Sequence, residues 1–114
     1  MTRFKAVYAE IYGSGPVTHN SSLTPAISER HLKRVESYVQ DAADKGARVE
    51  WMAADAPLDL ENRRRPMRLV INPPQDALIC KEEIFGAAAL IRSYKDIKEV
   101  VATIQQGDYP LALY

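Results

Sequence analysis

Lys81-Glu82-Glu83-Ile84-Phe85-Gly86 sets two adjacent carboxylates directly against a β-branched residue, an aromatic ring and a glycine. The chain on either side of it is regular. Residues 87–92 are a run of small and branched apolar side chains, consistent with a buried strand. Ile97, Val100, Val101 and Ile104 then recur at helical spacing; Asp96 and Glu99 suit an acidic helix start, and Gly107 suits its end. The run Pro110-Leu111-Ala112-Leu113-Tyr114 begins a further strand at about residue 111.

Upstream, residues 76–80 lead into the motif, and Arg68-Leu69-Val70-Ile71-Asn72 reads as a strand bounded by Pro66 and by Pro73-Pro74. Residues 47–52 form another, with Ala47, Val49 and Trp51 alternating against Arg48 and Glu50. Before it, Leu32, Val35, Val39 and Ala42 line one face of a helix predicted over 28–45, closed by Gly46. Phe4, Val7, Tyr8 and Ile11 give residues 2–12 one apolar helical face, stopped by Gly13 and Pro16. The order helix, helix, strand, strand, strand, helix, strand predicts an α/β layer arrangement.

Composition narrows the function classes. The 114 residues suffice for one compact domain. Fifteen basic residues balance fifteen acidic ones, which argues against a dedicated nucleic-acid or anionic-membrane surface. There is no run of about eighteen apolar residues and no signal-peptide core, so a cytoplasmic location is expected. The single cysteine, Cys80, cannot form an internal disulfide. No carboxylate or cysteine stands at ligand spacing to His19 or His31, so no metal site is expected. Gly13-Ser14-Gly15-Pro16 fails as a dinucleotide fingerprint, since Thr18 stands where the third glycine belongs. Asn20-Ser21-Ser22 reads as loop chemistry, and Arg63-Arg64-Arg65 as a solvated basic run.

The succession of EEIFG, apolar strand, Tyr94, amphipathic helix and PLALY resembles the aldehyde dehydrogenase superfamily, in particular its coniferyl- and fatty-aldehyde branch. The helix bearing Arg30-His31-Leu32-Lys33-Arg34, leading through Lys45-Gly46-Ala47 into a strand, resembles the same branch, so the likeness covers nearly the whole chain. It implies an α/β fold with helices packed on a mainly parallel sheet. It also implies that residues 1–114 are one partial catalytic domain of that type, without its dinucleotide-binding domain.

In the family a cysteine thiolate attacks the aldehyde, an amide donor stabilises the oxyanion, a carboxylate activates water, and NAD or NADP accepts hydride. The family's GQxC-like nucleophile stretch and its water-activating glutamate lie upstream of the matched segment and do not occur here. Catalytic residues are therefore expected to be none, and this chain alone is expected to be inactive. Cys80 is read as a buried structural cysteine: Lys81 favours its thiolate, but Glu82 and Glu83 oppose it. The resemblance assigns Glu83 to the nicotinamide ribose and Phe85 to the nicotinamide ring. A carboxylate accepts two vicinal hydroxyls well, and an aromatic surface positions a flat ring. The family has proline after EEIFG where this chain has Ala87.

The reading that follows is a segment of an NAD(P)-dependent aldehyde dehydrogenase whose partners are its aldehyde substrate and cofactor. The alternatives are a truncated paralogue that acts as a binding module, and an unrelated structural domain. The resemblance implies a homodimeric parent. The isolated piece is expected to self-associate through unpaired strand edges.

Overall fold

The computed structural model describes residues 2–13, 22–53 and 58–107. Helix α1 spans Thr2–Tyr12 and helix α2 spans Glu29–Asp44. Strands β1 (Arg48–Trp51), β2 (Arg68–Ile71) and β3 (Ala88–Ile91) follow, and helix α3 covers Ile97–Gln105. A short 3₁₀ helix, Leu78–Cys80, interrupts the connection from β2 to β3. The strand expected over 111–114 lies outside the described residues.

The helix ends follow from local chemistry. Ser28 caps α2 through its hydroxyl, which accepts from the His31 amide at 3.1 Å. Asp96 caps α3 by accepting from the Lys98 amide at 2.9 Å. Gly13 and Gly46 follow α1 and α2 at φ values of 79° and 91°, a conformation that costs glycine little.

The three strands form one sheet in the order β1-β2-β3. The pair β2–β3 is parallel, and β1–β2 is antiparallel. The α/β class holds, but the sheet is mixed: only one of its two junctions meets the expectation of a mainly parallel sheet. The connections account for this. Between β2 and β3 the chain crosses one face through the 3₁₀ helix, as a parallel pair requires. Between β1 and β2 the described residues contain no helix to carry the chain across, and it returns antiparallel.

The alternation of β2 divides the core in two. Val70 joins Val35, Val39 and Ala42 of α2, together with Ala77, Ile79 and Ala88, on one face. Leu69 joins Tyr8 of α1 and Met52 on the other. The apolar stripe read along α2 is thus the one buried; Leu32, Val35 and Val39 each contribute about 1.5–3 kcal/mol when fully removed from water, and Ala42 less. The first and last helices behave differently. Tyr8 is the only buried residue of α1, while Phe4, Val7 and Ile11 are exposed. No residue of α3 is buried, and Ile97, Val101 and Ile104 face outward.

Polar contacts tie the layers together. Lys5 pairs with Glu50 at 2.8 Å, and the Tyr8 hydroxyl accepts from the Met67 amide at 3.2 Å. Asp41 of α2 accepts from the Leu78 amide at 2.8 Å and pairs with Lys45 at 3.1 Å. Those contacts, the Leu78 amide first, hold the Asp41 carboxyl below the ordinary carboxylate range.

The arginine run is not a solvated surface. Arg63 donates to the Ile27 carbonyl at 2.9 Å, and the backbone of Arg64 forms an isolated antiparallel β-bridge with that of Asp59. Arg65 and the buried Arg68 both pair with Glu36, at 3.1 and 2.6 Å, and both guanidinium groups lie over the Trp51 ring. Sequence reading missed this because Glu36 and Trp51 are distant along the chain from Arg65 and Arg68.

Candidate functional site

The Glu82–Glu83 pair emerges directly from the 3₁₀ helix, whose Leu78 carbonyl accepts from the amides of Lys81 and Glu82. The chain then runs beside the first two turns of α2. Arg34 donates through one guanidinium nitrogen to the Glu83 carbonyl at 2.8 Å and through the other to the Ile84 carbonyl at 2.9 Å. His31 reaches the Phe85 carbonyl through Nε2 at 2.5 Å. A carbonyl can only accept, so Nε2 carries the proton, and Nδ1 is left to accept from Arg34 at 3.3 Å.

Phe85 has φ of 43°. For an aromatic L-residue that left-handed conformation costs about 1–2 kcal/mol. Gly86 follows at closest approach to the helix: a Cβ there would stand 2.8 Å from Cγ2 of Val35. The motif's glycine is needed for this approach, because Val35 is 2% exposed and has no room to withdraw.

The two predicted site residues lie beside this anchored backbone with their side chains outward. Glu83 is exposed, and its carboxylate enters no ion pair among the described residues. Phe85 is 74% exposed, with its ring edge-on to His31 at a centroid distance of 6.2 Å. A cleft of about 740 Å³ opens alongside, lined among others by Tyr12, Leu23, Ile27, Leu32, Met67 and Phe85. That size lies within the range of small-molecule sites, roughly 300–1,000 Å³.

Cys80 is half-buried; its thiol donates to the Pro74 carbonyl at 3.3 Å, and Arg92 donates to the sulfur at 3.0 Å. It packs against the α2-side core, in keeping with a structural role. Among the described residues no group of three potential ligands could hold a metal ion, and no helix is long and apolar enough to cross a membrane.

The family profile described as "Aldehyde dehydrogenase family" matches residues 1–114. The chain belongs to the aldehyde dehydrogenase family. It is 37% identical over 100 residues to a probable coniferyl aldehyde dehydrogenase of Caulobacter vibrioides, a match covering 86% of this chain and 21% of that protein. A probable coniferyl aldehyde dehydrogenase of Pseudomonas aeruginosa is 34% identical over 98 residues, covering 86% and 20%. Among solved structures, an aldehyde dehydrogenase of Mycobacterium tuberculosis complexed with NAD⁺ matches with a TM-score of 0.61 and 27% identity, over 73% of this chain and 17% of that one. The substrate-bound AldH of Staphylococcus aureus matches in fold, with a TM-score of 0.75 and 22% identity over 92% and 21%. This chain thus spans about a fifth of the length of the curated aldehyde dehydrogenases it matches.

Sequence reading singled out Glu83 and Phe85 but missed His31 and Arg34, the two side chains that hold their backbone. The available signal was their i, i+3 spacing beside the buried stripe of α2, which puts both on one helix face.

Proposed function

We propose that this chain forms part of the catalytic domain of an NAD(P)-dependent aldehyde dehydrogenase, oxidising an aldehyde to a carboxylic acid, in which Glu83 and Phe85 contact the nicotinamide end of the cofactor. The observation that carries this reading is an exposed aromatic ring on a tightly held backbone. A ring 74% exposed, touching the His31 ring only at its edge and standing beside a carboxylate that enters no ion pair among the described residues, is suited to a ligand.

The residues fit the group. The exposed Glu83 carboxylate can accept from two ribose hydroxyls, and the Phe85 ring offers a flat surface to a planar heterocycle. When bound, the cofactor supplies the hydride acceptor. This segment contributes orientation: it restricts where the nicotinamide ring can lie relative to the reacting aldehyde. The nucleophile, oxyanion donor, water-activating base and dinucleotide-binding half are supplied from outside these residues, so the segment alone is inactive. The names of the first two relatives make coniferyl aldehyde the first substrate to try.

The test compares Glu83→Gln, Phe85→Leu and the neighbouring control Glu82→Gln in the enzyme containing this segment. The amide of Glu83→Gln keeps the shape but loses a charge-assisted bond worth about 1.5–3 kcal/mol. Single-turnover hydride transfer is expected to fall further than cofactor affinity at positions 83 and 85, and neither at 82. Equal, small effects at all three positions would refute the cofactor role.

A further inference from the structure

We infer that His31 and Arg34 are positioning residues that fix the orientation of Glu83 and Phe85 by clamping three successive backbone carbonyls. The inference rests on the cofactor role proposed above.

Consecutive carbonyls of an extended chain point in alternating directions. Two neighbouring side chains on one helix face here collect three of them, and the left-handed Phe85 turns its own carbonyl relative to that of Ile84. The donors match the task. Arg34 offers a planar fork, and its two terminal nitrogens engage the carbonyls of Glu83 and Ile84 separately, at 2.8 and 2.9 Å. His31 takes the third carbonyl at 2.5 Å and accepts from Arg34 through its other nitrogen, so each donor fixes the other.

The clamp is itself seated. The Ser28 cap holds the turn that carries His31, and Arg34 also donates to the Tyr38 hydroxyl at 3.1 Å while lying 5.0 Å from the centre of that ring. Gly86 against Val35 extends the contact to a fourth consecutive residue. Every hydrogen bond of the clamp to residues 83–85 is to the backbone, and its one side-chain contact there is the His31 ring against the edge-on ring of Phe85. The Glu83 carboxylate and most of the Phe85 ring therefore stay exposed while their Cα positions are fixed.

The experiment uses the complete enzyme that carries this segment. Arg34→Lys, Arg34→Ala, His31→Gln and His31→Ala are compared with Glu83→Gln by single-turnover hydride transfer, cofactor affinity, thermal unfolding and amide exchange across residues 84–88. Both Arg34 variants are expected to slow hydride transfer by about tenfold or more, because misplacement of reacting groups is costly. Cofactor affinity is expected to change less than about threefold, and exchange at 84–88 to quicken.

Lysine is not expected to rescue, since a single ammonium cannot reproduce the fork. His31→Gln keeps an N–H donor and is expected to retain more of the rate than His31→Ala. This pair decides the matter should Arg34→Ala fail to fold.

Normal hydride transfer in Arg34→Lys, alongside a slowed Glu83→Gln, refutes the clamp and leaves the cofactor role standing. Rate losses that merely track unfolding temperature across the series also refute it. An unaffected Glu83→Gln refutes the cofactor role itself, and the positioning role with it.

Discussion

Gly86→Ala tests how tightly the motif is held against α2. The added methyl would stand 2.8 Å from Cγ2 of Val35 and 3.4 Å from Cγ1. The nearer contact falls about 0.7 Å short of the ~3.5 Å at which carbon atoms normally approach. Val35 cannot yield easily. It is β-branched, restricted at χ1 by its place in a helix, and packed among Val39, Ala42, Val70 and Ile79. The strain must be relieved by lifting residues 85–87 off the helix, which lengthens the His31–Phe85 hydrogen bond. Overpacking of this kind costs about 1–3 kcal/mol. In urea, with slopes of about 1–3 kcal/mol per molar, that is a midpoint lower by very roughly 1 M. Amide exchange at residues 84–88 should rise at the same time.

The diagnostic is the double variant. Val35→Ala removes the obstructing methyls, so Gly86→Ala should cost much less in that background than in the native one, a coupling of at least about 1 kcal/mol. An equal penalty in both backgrounds would refute the steric account. So would an unchanged urea midpoint with unchanged exchange.

Asp41 should govern part of the acid response. Its carboxyl is held low in the fold, so the unfolded chain binds the extra proton first and stability rises with pH across that interval. The contribution is complete above the unfolded value of about 3.9 and is lost as pH falls through the lower folded value. Asp41→Asn should therefore flatten the loss of stability below about pH 4, read from urea midpoints across the acid range; an identical acid limb would rule this out. Separately, the chain expressed alone should self-associate through the outward faces of α1 and α3, where Phe4, Ile11, Ile97 and Val101 stand exposed. Light scattering over a range of concentrations checks this, and a monomer at every concentration would contradict it.

Most of the elements were legible because their signals are local. The i, i+3, i+4 spacing of Leu32, Val35 and Val39 marks α2, Ser28 and Asp96 mark helix starts, and proline and glycine bound the strands. Strand direction was not legible: nothing within Arg48–Trp51 specifies whether it meets β2 parallel or antiparallel, since that depends on how the 52–67 connection travels. The same periodicity that located α1 and α3 gave no warning that their apolar faces would be left uncovered, because an amphipathic pattern specifies a face and not its partner. At the site, Glu83 and Phe85 were legible through the motif around them. Their supports were not, since a histidine and an arginine on a helix read as polar surface until the carbonyls they serve, about fifty positions later, are brought alongside. Likewise, no rule of spacing indicates that Phe85 itself adopts a positive φ.

The grouping of Glu36, Arg65, Arg68 and Trp51 constrains how this protein can change over generations. Removing the carboxylate alone would take the Glu36 charge away from the guanidinium of Arg68 deep in the fold, and removing one arginine would unbalance the charge shared with the other. Breaking a buried ion pair from one side typically costs about 3–5 kcal/mol, whereas exchanging the whole set for well-packed apolar residues can be neutral. Intermediate single substitutions are therefore the least fit states. The four positions should be inherited as a unit, so that in diverged relatives a change at position 36 is accompanied by changes at 65 and 68.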